Sequence, residues 1–299
     1  MLFSVVVCTY NRAGLLSSCL DSLAGQSADP ETFEVIIVDN NSTDKTPEVA
    51  KAYLERKNFR CIREEKQGLS HARNAGFTVA GGEYAAYIDD DARADKDWVR
   101  EMTEFTKRRP DAVAFGGPYR HFSLAKLPEW CRESYFSWGL GDTERPLQAS
   151  EWLNGTNMAY RRTILSGLNG FDAGLGMRRY SISYGEETRL LSEIKRLGLP
   201  IYYVPQMKVE HFAPEYKQRV WWFVKSSYAG GRDSWRIFRD NGDGFFKVLV
   251  QTLNALARLV SGFIKGMLRG LHYKTAFVDS SADFFYLAGR FFNIKKRGF

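Results

Sequence analysis

The residues best suited to chemistry in this 299-residue chain are three consecutive carboxylates, Asp89-Asp90-Asp91, which directly follow the apolar segment 84–88. Adjacent acids repel one another, and their burial is costly unless they are solvated, paired or bound to a cation. Hard divalent cations prefer carboxylate and phosphate oxygens, and α/β proteins bind ligands at strand ends. We therefore expect a metal ion held against a nucleotide diphosphate; a solvated acidic loop is the alternative.

A second pair of acids, Glu186 and Glu187, follows Gly185 and begins a predicted helix that continues to Leu197. Acids in a first helical turn stabilise the helix dipole, and that alone would explain them. The functional interpretation is a general base that takes a proton from an acceptor hydroxyl, with the neighbouring acid tuning its pKa. The sequence thus offers one carboxylate cluster for a metal and another for proton transfer.

Three further residues stand where a nucleotide or metal would need polar groups. Asp39 ends a predicted strand and can accept from a base N–H or a ribose hydroxyl, or else cap a loop. Arg73 lies on the helix after Gly68 and could stabilise phosphate charge or face the base, or else be a surface residue. His211 follows another predicted strand beside Glu210, where it is either a metal or phosphate ligand or a structural histidine.

The order of secondary-structure elements predicts the sheet that positions these residues. Apolar strands are predicted at 2–9, 33–38, 59–63 and 84–88, with helical patterns at 13–24, 45–57 and 70–80. This alternation predicts an α/β fold with a mostly parallel sheet and helices on both faces. Beyond residue 93 we predict a helix at 97–108 and strands at 112–116 and 201–204, while 118–150 is aromatic-rich and irregular. No GxGxxG or GxxxxGK[ST] motif supports a dinucleotide fold or a P-loop.

The basic excess of the chain lies in its last part. The net charge is +7, and residues 245–299 contain nine Lys/Arg against two Asp/Glu, so 1–244 is neutral. The pattern at 245–271 predicts an amphipathic helix with polar and basic residues at helical spacing, and an apolar segment follows at 284–292 with Lys295-Lys296-Arg297 after it. Such a helix would lie in the plane of an anionic membrane surface; packing on the catalytic domain is the alternative.

Other features bound the class of protein. Four cysteines without CxxC spacing indicate free thiols in a reducing compartment. The start has no basic n-region or small-residue cleavage site, so we expect no signal peptide. No apolar run reaches about 18 residues, so no transmembrane helix is expected. The chain has no nucleic-acid-binding motif, and we expect no nucleic-acid partner.

Six segments together resemble an inverting family 2 glycosyltransferase of the GT-A fold, over roughly residues 2–240. They are residues 5–12, 37–44, 66–76, 87–91, 155–162 and 185–187. The resemblance implies a nucleotide-diphospho-sugar transferase fold, with the C-terminal amphipathic helices added to it. It also implies a Mn2+ or Mg2+ cofactor. Thr9 and Tyr10 would flank the nucleobase, Asp39 would bind the base and Arg73 would lie beside the nucleotide.

The resemblance also implies roles for the acids. Asp89-Asp90-Asp91 matches the family's DXD motif, with Asp90 near the ribose and Asp91 as the direct metal ligand. Trp152 and Asn157 would line the sugar and acceptor pocket. Glu187 stands where the family usually has an Asp as its base, and Glu186 is the alternate. A second departure is Cys8, where the family commonly has Pro.

These inferences combine into one expected architecture and function. We expect a catalytic domain at 1–244, with a nucleotide-binding half at 1–100 and an acceptor half at 101–244, and a membrane-associating tail at 245–299. The expected reaction is metal-dependent, inverting transfer of a sugar from a nucleotide diphosphate, uridine diphosphate first, to a hydroxyl of a glycan or polyprenyl-linked saccharide. The product would be a cell-surface polysaccharide or a glycolipid, made by a peripheral protein on the cytoplasmic face of the membrane. A nucleotidyltransferase and a non-catalytic sugar- or lipid-binding protein are the alternatives.

Overall fold

The computed structural model describes residues 1–178, 182–237 and 245–295. The strands are β1 (Phe3–Thr9), β2 (Phe33–Asp39), β3 (Phe59–Arg63), β4 (Tyr84–Asp89), β5 (Ala92–Ala94), β6 (Ala114–Gly116), β7 (Tyr119–Phe122), β8 (Arg145–Pro146), β9 (Asn157–Arg161), β10 (Ile201–Tyr203) and β11 (Val209–Phe212). The helices are α1 (Ala13–Ala24), α2 (Thr46–Lys51), α3 (Leu69–Val79), α4 (Trp98–Arg108), α5 (Arg162–Gly167), α6 (Glu186–Arg196), α7 (Val220–Ile237), α8 (Phe245–Leu268) and α9 (Tyr273–Lys295).

The described residues divide into two compact units. The first contains 1–122, 136–178 and 186–212, and the second contains 123–135, 182–185, 213–237 and 245–295. The division differs from the predicted boundary at residue 244, because α7 packs against α9 and so belongs to the second unit. Every candidate site residue lies in the first unit.

The first unit is built on an eight-stranded sheet with the order β3-β2-β1-β4-β9-β6-β10-β8. β1 pairs in parallel with both β2 and β4, β2 with β3, and β6 with β10. β9 runs antiparallel between β4 and β6, and β8 runs antiparallel to β10. The predicted α/β architecture with a mixed, mostly parallel sheet is therefore confirmed.

Both faces of this sheet are covered, as the apolar strands predict. Alternate side chains of a strand point to opposite faces: Val5 and Val7 join a core with α1 and α4, whereas Val6 joins a core with α3 and α6. At Gly76 of α3 an added Cβ would lie 2.4 Å from a Val6 methyl carbon. This glycine therefore allows α3, the helix that carries Arg73, to lie directly on the sheet.

A small second sheet has the order β5-β11-β7. β11 is antiparallel to β5, with His211 opposite Ala92, and parallel to β7. The backbone N–H of Phe212 donates to the carbonyl of Asp91 at 2.9 Å. This pairing brings residue 211, late in the unit, against the end of the acid cluster.

The second unit contains α7, α8 and α9, with α9 packed against both other helices. Glycines permit the close contact: a Cβ at Gly231 of α7 would overlap the Tyr286 backbone, and one at Gly266 of α8 would lie 2.7 Å from the Ala276 Cβ. The predicted helix at 245–271 is confirmed as α8, and the apolar segment 284–292 is part of the longer α9. Of the basic cluster after it, Lys296 and Arg297 lie outside the described residues. Among the described helices, none has the length and apolarity needed to cross a bilayer.

Several element boundaries differ from the sequence-based ones. α2 ends at Lys51 and turns fill 52–57, where a helix was predicted, and β6 begins at Ala114 instead of residue 112. The whole of α7 lies in a stretch for which no helix was predicted. The four cysteines are free thiols, as expected.

Candidate functional site

The strand register gathers the predicted nucleotide residues at one edge of the sheet. Thr9 of β1 lies opposite Asp39 of β2, and Cys8 lies opposite Asp89 of β4. Because the three strands are parallel and end together, the polar groups that follow them meet at the carboxyl edge, where open α/β sheets bind ligands.

The loops that follow β1 and β2 are fastened to each other. The Asn11 N–H donates to the Ser42 hydroxyl at 3.0 Å, and the Thr43 N–H donates to the Asn11 side-chain oxygen at 2.8 Å. Asn11 has a φ of 51°, a left-handed conformation that asparagine tolerates better than most residues. Thr9 is buried and Tyr10 half-buried beside this junction; their contact with a nucleobase stays a prediction.

Asp39 is a buried carboxylate at the same junction. Its Oδ1 accepts from the Ser42 N–H at 3.0 Å, so the capping role considered as an alternative is present. That bond orients the carboxylate without occupying its second oxygen, and the predicted contact with a nucleobase stays a prediction.

Asp89, Asp91 and His211 form a cluster that we call the metal group. One ligand atom from each lies within 4.8 Å of the other two; the His211 Nε2 is 3.0 Å from Asp91 Oδ1 and 3.9 Å from Asp89 Oδ2. Two carboxylates and an imidazole suit Mn2+ and related divalent ions. Arg12 places its Nη1 3.7 Å from Asp91 Oδ2 and offsets part of the negative charge.

The acid cluster as a whole was expected to hold a metal ion, with Asp91 as the direct ligand and Asp89 among the nucleotide-binding residues; in the structure Asp89 lies in the metal group with Asp91. Strand alternation could not have shown this, because residues 90 and 91 form a turn between β4 and β5. Asp90 is outside the metal group and buried. Burial, and then the charge of Asp91, raise the pKa of Asp90 to about 7. Its predicted proximity to a ribose stays a prediction.

Arg73 is neither a surface residue nor an open phosphate contact, because only 3% of it is exposed. Its Nη1 donates to Glu186 Oε1 at 2.7 Å, and its Nη2 donates to the Gly155 carbonyl at 3.2 Å. The same Nη2 is 3.7 Å from Asp89 Oδ1. The alternative of a surface residue is therefore excluded, and Arg73 bridges the two predicted carboxylate sites.

Glu186 and Glu187, the acid pair, differ in their surroundings. Glu186 is buried against Arg73, whereas Glu187 is partly exposed. Burial of the carboxyl group, and then the nearby charge of Glu186, raise the pKa of Glu187 to about 8. A carboxylate with a pKa near the working pH suits a general base, so Glu187 is the better candidate of the two.

Asn157 does not present its amide to a pocket. It is fully buried; its Oδ1 accepts from the Trp98 indole at 2.9 Å. Its Nδ2 donates to the carbonyls of Met207 at 2.6 Å and Pro118 at 3.0 Å. With its hydrogen-bonding atoms engaged inside the protein, Asn157 differs from the predicted pocket residue: it ties β9 to α4 and to the loops before β7 and β11.

Trp152, the other predicted pocket residue, is half-buried. The Lys195 ammonium lies 4.0 Å from the centre of its ring and donates to the Ala149 carbonyl at 3.0 Å. One ring face is thus taken by a cation–π contact within the protein. A sugar contact by Trp152 stays a prediction.

The metal group generates a direct prediction. Mn2+ should raise the melting temperature of the chain, and Asp89→Asn or Asp91→Asn should remove the increase, because each variant loses one of two anionic ligands. At 100 times its dissociation constant a native-state ligand adds about 2.7 kcal/mol. Asp90→Asn is the matched control and should keep the increase, as measured by differential scanning fluorimetry. Loss of the shift in the Asp90 variant alone would contradict the assignment.

The raised pKa of Glu187 predicts a stability effect with a definite sign. Between about 4.3, the ordinary pKa of Glu, and about 8, the folded chain keeps a proton that the unfolded chain has released. Stability should therefore fall as the pH rises through this window. In Glu187→Gln the fall from pH 5.5 to 8.5 should be smaller by about 1–3 kcal/mol, measured by urea unfolding.

The control for this experiment is Glu193→Gln, which removes a partly exposed acid paired with Arg189 on the same helix. Its pH dependence should follow the wild type. Equal slopes for all three proteins would mean that Glu187 is not held protonated by its surroundings.

Comparison with known proteins agrees with this geometry. The model of the family "Glycosyl transferase family 2" matches residues 4–179. The glucosyl-dolichyl phosphate glucuronosyltransferase of Haloferax volcanii is 29% identical over 240 residues, covering 77% of this chain and 75% of the relative. The succinoglycan biosynthesis protein ExoM of Rhizobium meliloti is 27% identical over 271 residues, covering 86% and 81%.

Solved structures share the fold. The mannosyltransferase PcManGT from Pyrobaculum calidifontis, in complex with GDP-Man and Mn2+, superposes with a TM-score of 0.68 at 18% identity, covering 99% of this chain and 88% of that one. S. aureus TarS 1-349 in complex with UDP-GlcNAc superposes with a TM-score of 0.58 at 16% identity, covering 100% and 93%. The matched family model covers more than half of the sequence. The chain therefore belongs to glycosyl transferase family 2 and is a glycosyltransferase with the GT-A fold.

Proposed function

We propose that the chain is a divalent-cation-dependent, inverting transferase that moves a sugar from a nucleoside diphosphate to a hydroxyl of a glycan or lipid-linked saccharide. The metal group carries the proposal, since its three ligand atoms lie within 4.8 Å of one another at the sheet edge that also holds Asp39. The neighbours solved with GDP-Man and with UDP-GlcNAc support a nucleotide-sugar donor. Uridine diphosphate is the nucleotide we propose first.

The residues divide the chemistry between two places. Asp89, Asp91 and His211 would hold Mn2+ or Mg2+, which supplies charge neutralisation for the diphosphate leaving group. Asp39 would accept from the nucleobase, beside Thr9 and Tyr10, and orient the donor. Glu187 would take the proton of the acceptor hydroxyl as that oxygen attacks the anomeric carbon. A base acting from the side opposite the leaving group gives inversion.

The donor assignment is tested with a panel of nucleoside diphosphates and their sugars. A uridine or guanosine diphosphate should raise the melting temperature when Mn2+ is present. Glu187→Gln should retain that increase and lose turnover by about 10²–10⁴-fold, because binding needs no general base and proton removal does. Glu193→Gln on the same helix should keep both. If no nucleoside diphosphate stabilises the wild type with the cation present, the proposed function is wrong.

The proposed acceptor side includes a membrane surface, and α8 supports it. An exposed apolar stripe runs along the helix at spacings of three, four and seven residues, and Phe246 and Leu268 near its ends are 77% and 83% exposed. We define the apolar stripe as Phe246, Val250, Leu253, Val260, Ile264 and Leu268. The opposite side, with Val248 and Ala255, is buried within the unit.

Basic residues of α8 occupy a third side of the helix. Lys247, Arg258 and Lys265 follow one another at spacings of eleven and seven residues, which places them on one face, and all three are exposed. Arg269, also exposed, lies in the turn that follows α8. A helix with one packed side, one apolar side and one basic flank suits the boundary of an anionic bilayer. A relative named for glucosyl-dolichyl phosphate supports a lipid-linked acceptor at such a surface.

The membrane assignment is tested by co-sedimentation with vesicles. The full chain should pellet with vesicles rich in anionic phospholipid, and Leu253→Glu/Val260→Glu should reduce binding at least tenfold, since each buried apolar side chain is worth about 1.5–3 kcal/mol. Leu197→Glu changes an exposed leucine of the first unit and should leave binding unchanged. Equal pelleting of the α8 variant and the wild type would remove the anchor from the proposal.

A further inference from the structure

Arg73 is held in an enclosure shaped for a planar guanidinium. A Cβ at Gly155 would lie 2.9 Å from its Nη2, so the absence of a side chain there lets the Arg73 fork reach the Gly155 carbonyl. The rings of Phe171 and Tyr87 lie 5.4 and 5.9 Å from the guanidinium carbon. A lysine ammonium would keep the charge at this position but could not make the forked contacts.

Glu186 is closed off from the surface by the segment that contains Gly176. The Ser70 hydroxyl donates to the Leu175 carbonyl at 2.8 Å, which fastens this segment to α3. Gly176 has a φ of 86°, and a Cβ there would lie 3.1 Å from Glu186 Oε2. Among the described residues Glu186 is thus well shielded, with only 4% of it exposed.

Glu186 nevertheless keeps one carboxylate oxygen without a partner. Its Oε1 is paired with Arg73, while its Oε2 is buried with no hydrogen bond among the described residues. A buried carboxylate of this kind is tolerated because a full positive charge lies at hydrogen-bond distance. Glu186, the first residue of α6, thus depends on Arg73 for its compensating charge.

Asp89 is the other carboxylate in reach of Arg73. It accepts from the Thr156 hydroxyl at 2.7 Å and has Arg73 Nη2 at 3.7 Å. Arg73 therefore contacts one member of the metal group and one member of the acid pair. These two residues are otherwise remote in sequence, at positions 89 and 186.

From these contacts we infer that Arg73 is a positioning residue that joins Asp89 of the metal group to Glu186, and through Glu186 holds Glu187 in place. The family resemblance implied that Arg73 lies beside the nucleotide. The contacts of Arg73 instead make it a partner of two carboxylates and not a ligand of the nucleotide. The inference rests on the proposed function, because it assigns Glu187 as the base and Asp89 as a metal ligand. The Thr156 hydrogen bond at 2.7 Å still holds Asp89 when Arg73 is changed, whereas Glu186 loses its 2.7 Å partner. Loss of the fork should therefore impair turnover and leave nucleotide binding intact.

The test compares Arg73→Lys with the wild type, using the donor and acceptor found for the wild type. We expect kcat to fall at least tenfold, while the donor KM and the dissociation constant of the nucleoside diphosphate with Mn2+ change less than threefold. The matched control is Arg161→Lys. Like Arg73, Arg161 pairs with a glutamate, Glu83, donates to a backbone carbonyl, that of Pro110, and lies over a tyrosine ring. Unlike Arg73, it lies opposite the start of β4, away from the strand end that carries the acids. Its kinetic constants should stay within twofold of the wild type.

A double-variant comparison separates positioning from general damage. The double variant Arg73→Met/Glu186→Gln removes both charges of the pair and so leaves no buried charge without a partner. It keeps the inference testable if Arg73→Lys folds poorly. If the two residues act as one unit, the loss of kcat in the double variant should be well below the product of the losses in Arg73→Lys and Glu186→Gln measured singly, since coupled residues are not additive. A loss equal to that product would overturn the inference.

The remaining outcomes are also decisive. A tenfold weaker nucleoside diphosphate affinity in Arg73→Lys, with kcat unchanged, would make Arg73 a nucleotide ligand and overturn the inference while leaving the proposed function intact. Absence of nucleotide binding and turnover in the wild type would instead refute the proposed function, and with it the basis of the inference.

Discussion

The concentration of negative charge at the carboxyl edge of the sheet is the constraint on which the rest of the site depends. Two unit charges 4 Å apart repel by about 4 kcal/mol at the effective dielectric of a protein surface. Asp89, Asp90 and Asp91 are consecutive, and the acid pair reaches the same region through Arg73. The chain offsets this charge with the guanidinium groups of Arg12 and Arg73. Protonation offsets more of the negative charge, because the pKa values of Asp90 and Glu187 are raised to about 7 and about 8.

The backbone brings these compensating groups to the carboxylates at the edge of the sheet. The register of β1, β2 and β4 aligns the ends of three strands, and the pairing of β11 with β5 brings His211 to Asp91. Gly76 and Gly155 let α3 and the Arg73 fork come close to their neighbours. A larger side chain at either glycine would displace Arg73. Gly76 and Gly155 therefore determine whether the buried pair of Arg73 and Glu186 can form.

Much of the fold could be predicted because its signals are local. The β1 and β2 runs are continuous and apolar, and α1 begins and ends at the predicted residues. Helix α7 was missed because its apolar pattern is interrupted by Gly230 and Gly231. Gly231 occurs within the helix because the Tyr286 backbone leaves no room for a side chain there. That reason belongs to the packing of α9 and is invisible in the local sequence.

The site was predictable in its residue types but less so in its partnerships. Asp91 and His211 were proposed as metal ligands from their chemistry, and they do lie together. Arg73 and Glu186 are separated by 113 residues, so no local pattern could connect them. Asn157 was misassigned because an asparagine that binds three groups inside the protein has the same sequence signal as one that binds a sugar.

The charge balance also links the metal group to the acid pair, because both contact Arg73. Arg73 carries one positive charge and faces two carboxylates, but it lies closer to Glu186 at 2.7 Å than to Asp89 at 3.7 Å. Glu186 therefore takes most of its compensation, and Asp89 keeps negative charge beside Asp91. Hydrogen bonding from Thr156 orients Asp89 without neutralising it. The arrangement leaves more uncompensated negative charge at Asp89 and Asp91 than at Glu186, which suits a metal group that would hold a divalent cation.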